Sequence, residues 1–166
     1  MKSVRCASNR RVRATLAAIG LCFAVVSTTP VAAPAAPVAG ACETTGTKAK
    51  VSTTRQSTSS TTFVNVIETA IFFTQSRTGC VIISFSAEAG GNTNTLMFVS
   101  AVIDGFGCAP YNVAFVSPQI DPTVRTVNFL CPNIGTGNHQ AKMLFRSGGP
   151  GGVWFYARTM IVHYSK

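Results

Sequence analysis

The chain has 166 residues and a net charge of +9, from 14 Lys and Arg against 5 Asp and Glu. So few acids leave a small stock for acid–base catalysis, and glycoside hydrolysis needs two of them flanking one bond. The positive charge points away from nucleic acid once its place in the chain is read, because much of it sits at the very start.

Lys2, Arg5, Arg10, Arg11 and Arg13 come first, with no acid among them. An apolar run over 14–27 and an Ala/Pro/Val stretch over 30–41 follow. That order is the n-region, h-region and small-residue cleavage zone of a secretory signal. We read residues 1–33 as the signal, with cleavage between 33 and 41. An uncleaved anchor would need about 20 apolar residues, and Ser27, Thr28, Thr29 and Pro30 interrupt the run. Arg13 stands where a twin-Arg signal usually carries an apolar residue, and Leu21 precedes Cys22 where a lipid-attachment site wants a small one. Cys42 follows Ala39-Gly40-Ala41 and better fits such a site, though it lies far past the apolar run. The chain is therefore expected to be secreted or periplasmic, with a mature form that does not span the membrane. Removing the five basic residues of the leader from the net +9 leaves +4, spread without a basic run. About 125 to 133 residues remain, the size of one domain.

Cys6 and Cys22 belong to the leader, leaving Cys42, Cys80, Cys108 and Cys131. An even number in an exported chain favours two disulfides, and four cysteines allow three pairings. The runs 111–117 and 123–130 flank a turn over 118–122, and a hairpin about that turn would bring Cys108 beside Cys131. We therefore favour Cys108–Cys131, which leaves Cys42–Cys80. Zinc fits poorly, since no C-x-x-C occurs and His139 and His163 stand at no finger spacing. Asp104 and Asp121 alone do not supply a calcium loop. No cofactor is expected.

Residues 34–61 form an N-terminal segment, Ala/Pro-rich and then Ser/Thr-rich, with twelve Ser or Thr among positions 43–62. It reads as a linker, although Thr favours strands and Lys48 to Arg55 would serve as an edge strand. From 62 to 166 short apolar runs alternate with turn residues. Over 80–88, Val81, Ile83, Phe85 and Ala87 share one face while Ser84, Ser86 and Glu88 take the other. Residues 96–103 are apolar on both faces, which predicts a central strand ended by Asp104-Gly105. Over 139–146, Ala141, Met143 and Phe145 face in, and Gln140, Lys142 and Arg146 face out. Residues 153–164 read as the last and longest strand. No helical periodicity occurs after the leader. About eight strands at this spacing predict an all-β fold, a single antiparallel β-sandwich. A jelly roll is favoured over an immunoglobulin-like order, because the one tryptophan, Trp154, follows every cysteine.

Chemistry is sparse. Asp104-Gly105 and Asp121-Pro122 are turn formers first. His139 follows a Gly-rich loop and opens a strand, where it either hydrogen-bonds loop backbone or reaches a loop-built site. No G-x-S-x-G elbow accompanies it. Trp154, Tyr156, Tyr111 and Tyr164 are aromatics able to stack sugar rings, or to pack a sheet face.

Four segments, 79–89 (GCVIISFSAEA), 101–105 (AVIDG), 137–147 (GNHQAKMLFRS) and 158–164 (RTMIVHY), together resemble a group of small exported bacterial proteins of unassigned function. The resemblance spans roughly residues 60–164 and implies one β-sandwich behind an export signal. It brings no catalytic residue and no ligand. The expectation is a secreted, non-enzymatic binding or surface-associated structural module, whose partner is a surface glycan or another exported protein. A carbohydrate-binding module using Trp154, Tyr156 and His139 is one alternative. A hydrolase using His139 with a loop carboxylate is the other.

Overall fold

The computed structural model describes residues 42–92, 94–116 and 122–166. The leader, its cleavage zone and residues 118–121 of the turn lie outside the described residues. Eleven strands and no helix make up the described fold: β1 (Gly46–Ser52), β2 (Gln56–Thr58), β3 (Val64–Asn65), β4 (Ile71–Gln75), β5 (Gly79–Gly91), β6 (Met97–Ile103), β7 (Phe106–Gly107), β8 (Val113–Val116), β9 (Thr123–Ile134), β10 (Gly137–Ser147) and β11 (Val153–Tyr164).

One sheet runs β1-β11-β5-β9, with β2 also on β11; the other runs β3-β10-β6-β7, with β4 on β10 and β8 on β6. Every pairing is antiparallel. β1 and β2 lie in succession along β11, β3 and β4 along β10, and β7 and β8 along β6. Each pair is one strand with a break, so the sandwich has eight. Taken in chain order, the first, third, sixth and eighth form one sheet and the rest the other. That is the double Greek key of a jelly roll.

Alternation dictates which faces meet. Val81, Ile83 and Phe85 of β5 and Ala141, Met143 and Phe145 of β10 have no exposure at all. Phe85 and Phe155 from one sheet interlock with Phe115 and Phe145 from the other, with ring centroids 5.0–5.9 Å apart. Edge-to-face and tilted aromatic contacts of this kind add to the burial of apolar area. Ser100 and Val102 are buried on the other face of β6, as its two-sided apolar pattern predicts. The Asp104-Gly105 turn joins β6 to β7 with φ of 51° and 89°. Two left-handed residues in a two-residue loop are what the twist of a tight hairpin demands.

Three expectations need correction. The Ser/Thr-rich stretch is not a linker ahead of a sandwich that starts at 62: β1 pairs along β11 from Gly46↔Tyr164 to Ser52↔Arg158. Thr47 and Val51 are β-branched, and the exposed lysines between them suit an edge strand. The segments 111–117 and 123–130 do not form a hairpin either, since β8 pairs with β6 and β9 with β5, in opposite sheets. A jelly roll passes its chain between sheets at this point, so sequence neighbours need not be sheet neighbours. Finally, β5 at 13 residues is longer than β11 at 12.

The expected cysteine pairing holds for a different geometric reason. Cys108–Cys131 joins the segment after β7 to β9, and so staples one sheet to the other; Ala109 and Leu130 exchange backbone hydrogen bonds beside it. Cys42–Cys80 ties the chain ahead of β1 to the start of β5. Its thiol is thereby consumed, which leaves Cys42 no sulfur for a lipid thioether. Two disulfides mark a fold made for an oxidising compartment. Among the described residues no helix is long and apolar enough to cross a membrane.

Candidate functional site

The sandwich brings chemistry-bearing side chains together at two places. The first is the corner where β10 begins. His139 shares the inward face with Ala141, and its ring packs 5.5 Å from Phe73. His139 Nδ1 lies 2.7 Å from Asp104 Oδ2, and Nε2 lies 3.0 Å from the Gly135 carbonyl oxygen. Both neighbours are acceptors, so the ring makes both bonds only with a proton on each nitrogen. Gln140 N–H donates to Asp104 Oδ1 at 2.8 Å, and Asp104 N–H donates back to the Gln140 carbonyl. Burial pushes the Asp104 carboxyl up, but hydrogen bonds from His139 and Gln140, with the charges of His139 and Lys142, outweigh it. The carboxyl is held below its ordinary range.

A depression of about 420 Å³ opens here, lined by Lys48, Phe72, Thr74, Asn138 and Gln140 as well as the pair. Hydrolysis by such a pair needs a nucleophile or a water-facing imidazole nitrogen. Here the distal nitrogen is tied to Gly135, and among the described residues no hydroxyl or thiol hydrogen-bonds the ring. Thr74 Oγ1 donates to Asn138 Oδ1 instead, at 2.7 Å. Glu88 on β5 and Asp104 after β6 line different depressions, so the two carboxylates do not flank one cleft.

The second place is the outer face of the β1-β11-β5-β9 sheet. Trp154 and Tyr156 both point outward from β11, half-buried, with Tyr156 inside the bulge between Phe155 and Arg158. The indole lies flat over Gly90 on β5, where a Cβ would fall 2.7 Å from Trp154 Cζ2. Only glycine lets the ring settle there. Arg55, in the break between β1 and β2, swings over both rings, its Cζ 5.9 Å from the Trp154 centroid and 5.3 Å from that of Tyr156. Such contacts add roughly 0.5–1 kcal/mol each at exposed sites. Trp154 Nε1 is buried with no hydrogen-bond partner.

The remaining sequence candidates scatter. Tyr164 is buried against Phe73, with ring centroids 5.0 Å apart. Tyr111 is exposed, and its hydroxyl donates to the Gly107 carbonyl at 2.9 Å. His163 contacts Thr47 Oγ1 and lines a shallow groove of about 700 Å³ with Ile82, Leu130 and Pro110. His139 lies in the opposite sheet from Trp154 and Tyr156, so the three do not form one site. Sequence reasoning missed Arg55; the one available signal was a solitary guanidinium in a Ser/Thr-rich stretch.

The fold and these sites define a disulfide-stapled jelly-roll β-sandwich with an Arg-capped aromatic shelf on one sheet. No protein-family model matches the chain, and no curated protein matches it. Among solved structures it is similar to one from infectious bursal disease virus, Gx strain, at TM-score 0.44 and 10% identity, covering 74% of this chain and 33% of that one. The chain thus spans about a third of that viral protein chain's length. A likeness at that level bears on neither activity nor ligand.

Proposed function

We propose that the protein is an exported, non-enzymatic binding module that takes its ligand on the outer face of the β1-β11-β5-β9 sheet. One observation carries this reading: Trp154 and Tyr156 stand side by side on an open sheet face under Arg55. Half-buried aromatics on a rigid sheet offer contact area at little entropic cost, and they suit a saccharide. The basic–apolar–small order of the first forty residues supports export through a cleaved signal, and the two disulfides agree with a destination in the periplasm or outside the cell. A surface glycan is the partner we favour, with another exported protein as the alternative.

The hydrolase reading keeps one support, the 2.7 Å His139–Asp104 contact. The Gly135 carbonyl on the distal nitrogen speaks against it, because the ring is then oriented as a clasp. The test is a glycan array with a parallel pull-down, using the purified protein and a Trp154→Ala variant. Binding that the variant loses supports the module. Binding that survives in Trp154→Ala, or that disappears only in His139→Asn, overturns the placement of the site.

A further inference from the structure

We infer that the ligand of the Trp154–Tyr156 shelf is an acidic saccharide, one bearing carboxylate or sulfate groups, held by Arg55 through its guanidinium edge. The inference rests on the proposed glycan-binding role and narrows it to a chemical class.

The argument starts from which surfaces are still open. One face of the indole is spent on Gly90. Arg55 lies over Trp154 and Tyr156 at 5.9 and 5.3 Å. A neutral sugar would have to displace the guanidinium before it could stack there. What the shelf presents outward is the guanidinium itself, exposed and steadied by two rings. Among the described residues it donates no hydrogen bond and joins no ion pair; the ion pairs there are Arg77–Glu43, His139–Asp104 and Arg158–Glu68. The other arginines near aromatic rings or in the core are occupied. Arg146, over Phe63 and Phe98, donates to Asn112 Oδ1, and buried Arg158 donates to the Thr54 and Ile67 carbonyls. Arg55 is the one that stacking has oriented while leaving its donors free.

A planar fork of N–H donors matches a carboxylate or sulfate with two parallel bonds, and an aromatic platform lowers the entropy lost in forming them. Trp154 Nε1–H is buried against Gly90, so the donors the shelf presents outward are those of Arg55. Glu88 is the acid on the neighbouring strand; it faces outward from β5 opposite the bulge, and it makes no ion pair with Arg55. It would repel an acidic chain that ran past Tyr156. The saccharide is therefore directed across Arg55 and Trp154.

The experiment compares matched glycan pairs, uronate-containing, sulfated and neutral, against the purified protein and Arg55→Met, Arg55→Lys and Glu88→Gln variants. Thermal melts confirm that each variant folds. We expect the acidic members to bind and their neutral counterparts not to. Arg55→Met should cost about tenfold to a hundredfold, the range for a charge-assisted pair. Arg55→Lys should keep the charge but lose most of the affinity, and Glu88→Gln should tighten binding. The two acidic arms separate carboxylate from sulfate. Equal binding of neutral and acidic members, unchanged by Arg55→Met but lost in Trp154→Ala, overturns the acidic class and leaves the glycan module standing. Binding to no glycan at all overturns both.

Discussion

His139 and Asp104 show how a single pair acquires its role from its neighbours. The same two residue types serve a hydrolase when the distal nitrogen is free. Here Gly135 takes that nitrogen, and the Gln140 N–H takes the second carboxylate oxygen. The pair therefore closes the β6–β10 corner, and its effect belongs to stability and pH. A carboxyl held below its ordinary value adds stability that is fully present above that value and is lost as pH falls through the folded one. Asp104 shifts in that direction, so the protein should melt at progressively lower temperature as pH drops below about 4, the ordinary carboxylate region. Asp104→Asn should lower the melting temperature at neutral pH and flatten that acid slope. The change at neutral pH is expected to stay below about 1 kcal/mol, because the carboxylate is partly solvated and screened. Glu68 is shifted the same way, chiefly by hydrogen bonds from Ser52 and Thr54, and it lies beside buried Arg158. Some acid slope should thus persist in Asp104→Asn and diminish further in Asp104→Asn/Glu68→Gln. Melting curves of the three proteins across pH check the sign. A slope unchanged by both substitutions contradicts it.

At the scale of elements, the strands whose alternation was plain in the sequence, β5 and β10, point the side chains inward that their pattern assigns. A period of two with apolar residues on one parity leaves a strand little freedom about which face is buried. The failures lie where pairing depends on distant partners. β1 carries Lys48 and Lys50 instead of an apolar stripe, and it becomes a strand only because β11 lies alongside it. The segments on either side of Pro118–Pro122 have the composition of a hairpin, yet they enter different sheets, a choice no local pattern encodes. Trp154 and Tyr156 were visible as aromatics, but Arg55 joins them only through the alignment of β2 on β11. The disulfide between Cys108 and Cys131 is compatible with either topology, although its mechanical meaning changes. In a hairpin it would close a ribbon, whereas here it joins two layers. With its cysteines 23 positions apart, removing it as Cys108→Ser/Cys131→Ser should cost about 3 kcal/mol through the unfolded chain. It should also release the Ala109–Leu130 backbone pair. Denaturant melts give the first quantity, and amide exchange at Ala109 and Leu130 gives the second. Exchange there that matches the parent protein would show that the disulfide does not hold the layers.

For the whole molecule, the open question of any sandwich is what happens along its edges, where unpaired backbone groups invite another strand. β1 is an edge of one sheet, and the β3–β4 pair is an edge of the other. Lys48 and Lys50 lie opposite Val162 and Met160 in the register and so point toward the interior. Their ammonium groups reach across the gap, Lys48 Nζ donating to the Phe72 carbonyl at 2.8 Å and Lys50 Nζ to the Ala70 carbonyl at 3.4 Å. Those are acceptors along the facing edge that an incoming strand would use. Inward-pointing lysines on an edge also carry charge into any would-be strand pairing, which disfavours it. Both side chains are exposed, so the two bonds contribute little to folding, on the order of 1 kcal/mol together. Their larger effect should be on association. Lys48→Thr/Lys50→Thr keeps good strand formers in place and should leave the melting temperature within a few degrees of the parent. It should nevertheless raise the tendency to self-associate, seen as concentration-dependent growth in light scattering or sedimentation. A variant that melts like the parent and stays equally dispersed would mean that the edge is guarded by something other than these two lysines.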